Sequence, residues 1–202
     1  MKIDTIFCIE KKMKKIILGS NSPRRRELLA GLGFPFTVDT DNSFEEVADP
    51  SMPHRLIPAA MAEGKSFGFH RPLSDDEVLV TADTMVLLGD VMLGKPRTHE
   101  EAISMLRALS GHTHEVITAV VIRDRDNCRH FEDITRVTFR ELTDEEIEWY
   151  VDSCRPYDKA GAYGVQEWIG YAAITSIQGS FYNVMGLPVH KVYECLKDFM
   201  DR

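Results

Sequence analysis

Seven consecutive residues, Ser20-Asn21-Ser22-Pro23-Arg24-Arg25-Arg26, carry the strongest local chemical signal in the chain. Ser22 is a good N-cap and Pro23 suits the first helical position, so the run reads as the opening of a helix. A helix N-terminus presents free N–H groups and partial positive charge. Arginines in that first turn oppose the dipole and do nothing for the helix itself. They make sense if an anion sits there, met by backbone amides and guanidinium forks together. The other reading is a solvated basic turn. Successive helical residues point about 100° apart, so the three arginines cannot all face one ligand.

A second signal is Ala82-Asp83-Thr84, set inside an apolar, strand-like run over residues 78–88. A carboxylate there is expensive unless it meets a metal, a cation or a water that needs activation. The other reading is a bulge or edge position where Asp83 faces solvent. Glu45-Glu46 and Lys65 are weaker signals, since exposed acidic pairs and helix-surface lysines are commonplace. Gly89-Asp90-Val91-Met92-Leu93-Gly94-Lys95-Pro96 nearly matches a P-loop, but Pro96 stands where a Ser or Thr should bind magnesium. The glycines there flank a hairpin and not a strand-to-helix loop, leaving Lys95 free to reach a phosphate by other means. His112 and His114 have a spacing that could bind a metal on a strand, with no third ligand nearby. Cys154 has no evident base partner.

The 202 residues suffice for one domain with a real core. The net charge of −8, with no basic patch interleaved with aromatics, argues against a nucleic-acid surface. A phosphate compound would need a local cationic pocket inside an acidic chain. No apolar run reaches the length of a membrane span. The four cysteines, Cys8, Cys128, Cys154 and Cys195, form no Cys-x-x-Cys, which argues against a disulfide framework or structural zinc and fits a reducing cytoplasm. Residues 1–12 read as an extension, with Met13 the expected native start, ahead of one domain over 13–202. The apolar-then-basic order of this extension is the reverse of a signal peptide.

The elements that must position these groups alternate along the chain. A short buried strand at 15–18 precedes the basic helix, whose apolar face is Leu28, Leu29 and Leu32 and whose expected stop is Gly33. A strand is expected at 36–39 and a helix at 54–68. Residues 78–88 and 91–93 form a hairpin about Gly89-Asp90. Thr98-His99-Glu100-Glu101 and Thr143-Asp144-Glu145-Glu146 are capping boxes opening two helices. Strands are expected at 115–123, 134–142 and 172–177, a glycine-rich stretch at 160–170 and a final amphipathic helix at 188–200. This pattern predicts an α/β fold with a mixed sheet.

Taken together, these stretches resemble the Maf family of nucleotide pyrophosphatases, over residues 14–199. The matching pieces are Ser20-x-Ser22-Pro23-Arg24-Arg25, Glu46, Lys65, Ala82-Asp83-Thr84, Gly94-Lys95-Pro96, Leu109-Ser110-Gly111, the run from Lys159 through Gln166, Ile177-x-Gly179-Ser180 and Gly186-Leu187-Pro188. The resemblance implies a fold like that of inosine triphosphate pyrophosphatases: a long mixed sheet flanked by helices, with a cleft between two lobes. It implies hydrolysis of a nucleoside triphosphate to the monophosphate and pyrophosphate, a divalent cation (magnesium or manganese) and a homodimer. Asp83 matches the general base. Glu46 and Asp83 match the acidic metal contributors. Ser20, Ser22, Arg25, Lys65 and Lys95 match phosphate ligands, and Arg24, Thr84 and Gln166 match positions tied to substrate choice. The stretch from Asp158 to Gln166 is similar to the branch acting on dTTP and UTP. One departure is Glu167, where the family has glycine, which bears on the shape of the base pocket. A second expectation from the family is inhibition of cell division through a partner; the filled catalytic set argues against it.

Overall fold

The computed structural model describes residues 14–47, 49 and 51–200. The expected extension, the start at Met13 and Cys8 lie outside the described residues. In chain order the elements are β1 (Lys15–Leu18), α1 (Pro23–Ala30), β2 (Phe36–Val38), α2 (Ile57–Phe67), β3 (Glu77–Leu88), β4 (Val91–Leu93), α3 (His99–Leu109), β5 (Thr113–Arg123), β6 (Cys128–Phe139), α4 (Asp144–Cys154), α5 (Trp168–Ala172), β7 (Ile174–Gln178), α6 (Phe181–Met185) and α7 (Val189–Met200). The strands form one seven-stranded mixed sheet in the order β2-β1-β3-β5-β6-β7, with β4 paired to β3. The pairs of β1 with β2 and β3 are parallel, and the others are antiparallel. Among the described residues no helix is long and apolar enough to cross a membrane.

Side chains of a strand alternate between the two faces of its sheet. Val78, Val80, Ala82 and Val86 of β3 therefore share one face, in a core with Leu29 of α1, Leu106 and Leu109 of α3, Tyr150 of α4 and Leu196 and Phe199 of α7. Met85 and Leu87 look the other way and pack on Ile57 and Met61 of α2. The Thr81 hydroxyl ties the same face to α2 by donating to the Ala62 carbonyl at 2.8 Å. Asp83 and Thr84, being adjacent, leave on opposite faces.

Several expected boundaries move for local reasons. Helix α1 stops at Ala30, since the chain turns over residues 31–33 before Gly33 takes its left-handed φ of 79°. Strand β6 begins at Cys128 and not at 134, because its first half is polar and largely exposed and so looks like a turn in the sequence. Helices α5 and α6 were not expected; at five residues each they are too short to show a helical period. The box at Thr143 closes reciprocally with Glu146. At Thr98 only half forms, because the Glu101 carboxylate takes the Arg97 N–H instead.

His112 and His114 do not act as a pair. His112 is exposed and bonds to the Ser110 carbonyl, whereas His114 is buried edge-on to Phe139 and Tyr163. Its Nε2 meets the Tyr163 hydroxyl at 2.7 Å, and its Nδ1 has no partner among the described residues. Burial pushes this imidazole down to about 4 from its ordinary 6.5. A depressed pKa holds the native histidine neutral, so the stability it contributes is full above pH 6.5 and is lost as pH falls toward 4, where the unfolded chain already binds a proton. The size is on the order of 3 kcal/mol. Urea unfolding between pH 7.5 and 4.5 should show this loss, and His114→Asn should flatten the curve; parallel curves would contradict the assignment.

Candidate active site

The sheet has a gap, and the site is in it. On the side of β3 away from β5, β1 pairs with β3 only up to Val80 and β4 only from Val86. Residues 81–85 therefore present an open edge between two partner strands, on a side of the strand that is otherwise paired. A cleft of about 370 Å³ opens there, bounded by the loop after β1, the end of the β3–β4 hairpin and the segment 158–166. Because the edge itself is exposed, Asp83 and Thr84 can both line the cleft although they leave on opposite faces.

An open strand edge leaves carbonyl groups that must find partners. Arg25, from the first turn of α1, supplies one for Ala82. Its Nη1 donates to the Ala82 carbonyl at 2.8 Å and to Ser20 Oγ at 3.3 Å; its Nη2 donates to Thr84 Oγ1 at 3.0 Å; its Nε donates to the Gly186 carbonyl at 2.9 Å. Four of five guanidinium hydrogens are thus used within the protein, leaving one for a ligand. Burial lowers the Arg25 pKa, and the Asp83 charge opposes that shift. Beneath it, the Thr84 hydroxyl contacts Thr118, which donates to the Asn183 carbonyl, and the Asn183 amide bonds the Val116 carbonyl and Thr135. Ser22 caps α1 by accepting from Arg25 N, and Ser20 Oγ accepts from Ser22 N.

On the other wall, Lys65 in the last turn of α2 places its ammonium 2.8 Å from Asp83 Oδ1 and 2.8 Å from Glu46 Oε2. Glu46 arrives on a strap, residues 42–46, laid over the end of α2. The Asn42 amide donates to the Lys65 carbonyl, and Ser43 N donates to the Gly68 carbonyl. The Phe44 ring lies on Gly64, where an added Cβ would come within 2.3 Å of it. Absence of a side chain at Gly64 is what lets the strap sit low enough to bring Glu46 to Lys65.

Arg24, Lys95 and Gln166 line the same cleft. Arg24 is held by Asp158, with Nη1 at 2.6 Å from Oδ2 and Nη2 bonded to its carbonyl. Burial alone would raise the Asp158 carboxyl; hydrogen bonds from Lys159 and Arg24 outweigh it and bring it down to about 2. Lys95 has no hydrogen bond or ion pair among the described residues. The Gln166 Oε1 is buried and has no partner among the described residues. Among lining residues, Arg24, Arg25, Lys65, Lys95 and Lys159 face Asp39, Glu46, Asp83 and Asp158, so the cleft is close to charge balance within a chain of net −8.

The family described as Maf-like protein matches residues 15–199. The chain belongs to the Maf family. A dTTP/UTP pyrophosphatase of Parabacteroides distasonis is 50% identical over 93% of this chain and 97% of its own length. One of Porphyromonas gingivalis is 48% identical over 93% and 96%. A solved HAM1 protein from Coxiella burnetii aligns with 92% of this chain and 100% of its own at 13% identity, with a TM-score of 0.46.

The ten residues that the resemblance assigns to the site all line this one cleft: Ser20, Ser22, Arg24, Arg25, Glu46, Lys65, Asp83, Thr84, Lys95 and Gln166. Arg26, the third arginine of the motif, is exposed and does not line it. The sequence offered no sign of Asn42 or Phe44, whose parts depend on contacts far along the chain, and it marked Lys159 only as the start of the run through Gln166. The Gly64–Phe44 contact gives a direct check on the strap. Alanine favours a helix over glycine by about 1 kcal/mol, so Gly64→Ala should leave the melting temperature nearly intact. It should lift Phe44 and with it Glu46, lowering hydrolysis of UTP, the nucleotide named for these relatives, by on the order of 10²-fold. Unchanged turnover would show that the strap has no part in the site.

Proposed function

We propose that this chain hydrolyses dTTP and UTP between the α and β phosphates, releasing the nucleoside monophosphate and pyrophosphate. The observation that carries the reading is the meeting of Asp83, Glu46 and Lys65 at the open edge of β3, with Lys95, unpaired among the described residues, lining the same cleft. The names of the relatives support the substrates.

A divalent ion fits this donor set. Two carboxylates already converge on one cationic centre, and the balanced lining has little charge to spare for a polyanionic tail. Glu46 and Asp83 would hold the ion, with phosphate oxygens and waters completing a shell of hard oxygen donors. Bound there, magnesium or manganese supplies charge neutralisation on the phosphates.

The chain's own groups do the rest. Lys65 engages Asp83 through Oδ1, which leaves Oδ2 to take the proton of a water attacking the α-phosphorus. The third hydrogen of the Lys65 ammonium, the free hydrogen of Arg25 and the Lys95 ammonium are donors for the departing pyrophosphate. Fixed cations of this kind stabilise charge on phosphoryl oxygens with little reorganisation. Ser20 and Ser22 keep their hydroxyl hydrogens for phosphate oxygens while accepting from the backbone and Arg25. The buried Gln166 acceptor suits the N3–H of uracil or thymine, whereas cytosine offers only an acceptor at that atom. Arg24 and Thr84 complete substrate choice in this reading, which also takes the enzyme as a cytoplasmic homodimer.

Asp83→Asn keeps the shape and removes the base. With magnesium present and pyrophosphate and phosphate measured separately, turnover of UTP should fall by about 10²–10⁴-fold while folding holds. Near-normal pyrophosphate release from the folded variant would remove Asp83 from the chemistry. Nucleotide binding without turnover in the unaltered protein would favour the division-inhibitor alternative.

A further inference from the structure

We propose that Glu167 is a positioning residue for base recognition: its carboxylate locks the turn that presents Gln166 and, through Lys159 and Asp158, fixes Arg24. The proposal rests on the pyrophosphatase reading for its kinetic consequence, but its structural half stands on geometry alone.

Residues 164–167 form a turn with Gln166 inside it. The turn is closed twice. Glu167 N donates to the Gly164 carbonyl at 2.9 Å. Gly164 N donates to the Tyr150 hydroxyl at 3.0 Å, and that hydroxyl donates in turn to Glu167 Oε2. Both backbone polar groups of Gly164 are therefore committed to Glu167, one directly and one through Tyr150, which is fully buried in the core. The carboxylate lies against Gly164 so closely that a Cβ there would come within 2.8 Å of Glu167 Cδ.

The other carboxylate oxygen faces the cleft side. Glu167 Oε1 is 3.0 Å from Lys159 Nζ, and the same ammonium is 2.8 Å from Asp158 Oδ1. Asp158 Oδ2 holds Arg24 at 2.6 Å. An unbroken line of charge-assisted bonds thus runs from Tyr150 through Glu167, Lys159 and Asp158 to Arg24; one end holds the backbone of Gly164 in the turn that carries Gln166, and the other end is Arg24, and all three of these residues line the cleft. Lys159 is buried at 8% exposure, so its charge needs both carboxylates. Without Glu167, Lys159 would draw on Asp158 alone and loosen the grip on Arg24. Glycine at this position can supply neither oxygen, so this chain sets its turn by a side chain where a glycine relies on backbone alone.

Two measurements on Glu167→Ala, Glu167→Gln and Tyr150→Phe test this. Hydrogen exchange read by mass spectrometry needs no substrate. Glu167→Ala should speed exchange at the Gly164 amide and its neighbours by about tenfold or more, with the core strands unchanged. Kinetically, Glu167→Ala should raise KM for UTP by about tenfold, alter kcat less, and narrow the preference for UTP over CTP. Glu167→Gln, which keeps an oxygen for Tyr150 but not the charge facing Lys159, should recover protection of the turn and only part of the KM. Tyr150→Phe should lose protection as Glu167→Ala does. An unaltered exchange pattern in Glu167→Ala overturns the proposal whatever the activity, as does an unshifted KM and UTP-to-CTP ratio in a folded variant. Absence of UTP turnover in the unaltered protein would instead sink the function reading, while the exchange result still decides the role of Glu167.

Discussion

The Arg25 guanidinium spans a break in the sheet, and the rest of the site is arranged around that span. On the side of β3 away from β5, the strand is paired along its length except over residues 81–85, where β1 has ended and β4 has not begun. An open edge in the middle of a sheet exposes backbone groups that either bind something or attract another strand. Arg25 binds the Ala82 carbonyl there and joins it to the Gly186 loop and to the Thr84 hydroxyl. The gap stays open as a cleft because a side chain with several donors in one plane holds its walls apart at fixed distances. The price in charge is a partly buried cation, offset by Asp83 across the opening.

That arrangement explains why an acidic chain can receive a polyanion. The cations at the cleft are not simply concentrated; most are tied to carboxylates. Lys65 sits between Glu46 and Asp83, and Lys159 between Asp158 and Glu167. Each pair restrains a cation in a set geometry and limits net charge when nothing is bound. Glu46 is the looser end of this system, with a side chain 62% exposed, against 20% for Asp83. Its exposure leaves it room to shift, while Asp83 is fixed by its strand.

Much of this was legible before any coordinates. Asp83 stood out because a carboxylate within an apolar strand needs a reason, and the arginines because they oppose a helix dipole. The hairpin at Gly89-Asp90 correctly removed the P-loop reading, leaving Lys95 at the cleft edge. Other features were not legible for physical reasons. Arg25 reads as a phosphate ligand, yet its main partners include a carbonyl 161 residues away, which no local pattern encodes. The placement of Glu46 depends on Phe44 finding a side-chain-free spot at Gly64, a tertiary contact between two unremarkable residues. Glu167 looked like a small departure from a family glycine; only the positions of Tyr150 and Lys159 give it a part. The exposed half of β6 was lost because polar residues on both faces erase a strand's period.

On the proposed function, the triphosphate lies in the gap between β1 and β4. A crystal structure with magnesium and the α,β-imido analogue of UTP, which resists cleavage at the α–β bond, tests it most directly. The α-phosphate should face Asp83, the terminal phosphates should lie against Lys95 and the loop over residues 19–22, and the uracil should sit at Gln166. A nucleotide bound elsewhere on the protein, with residues 81–85 untouched, would contradict it.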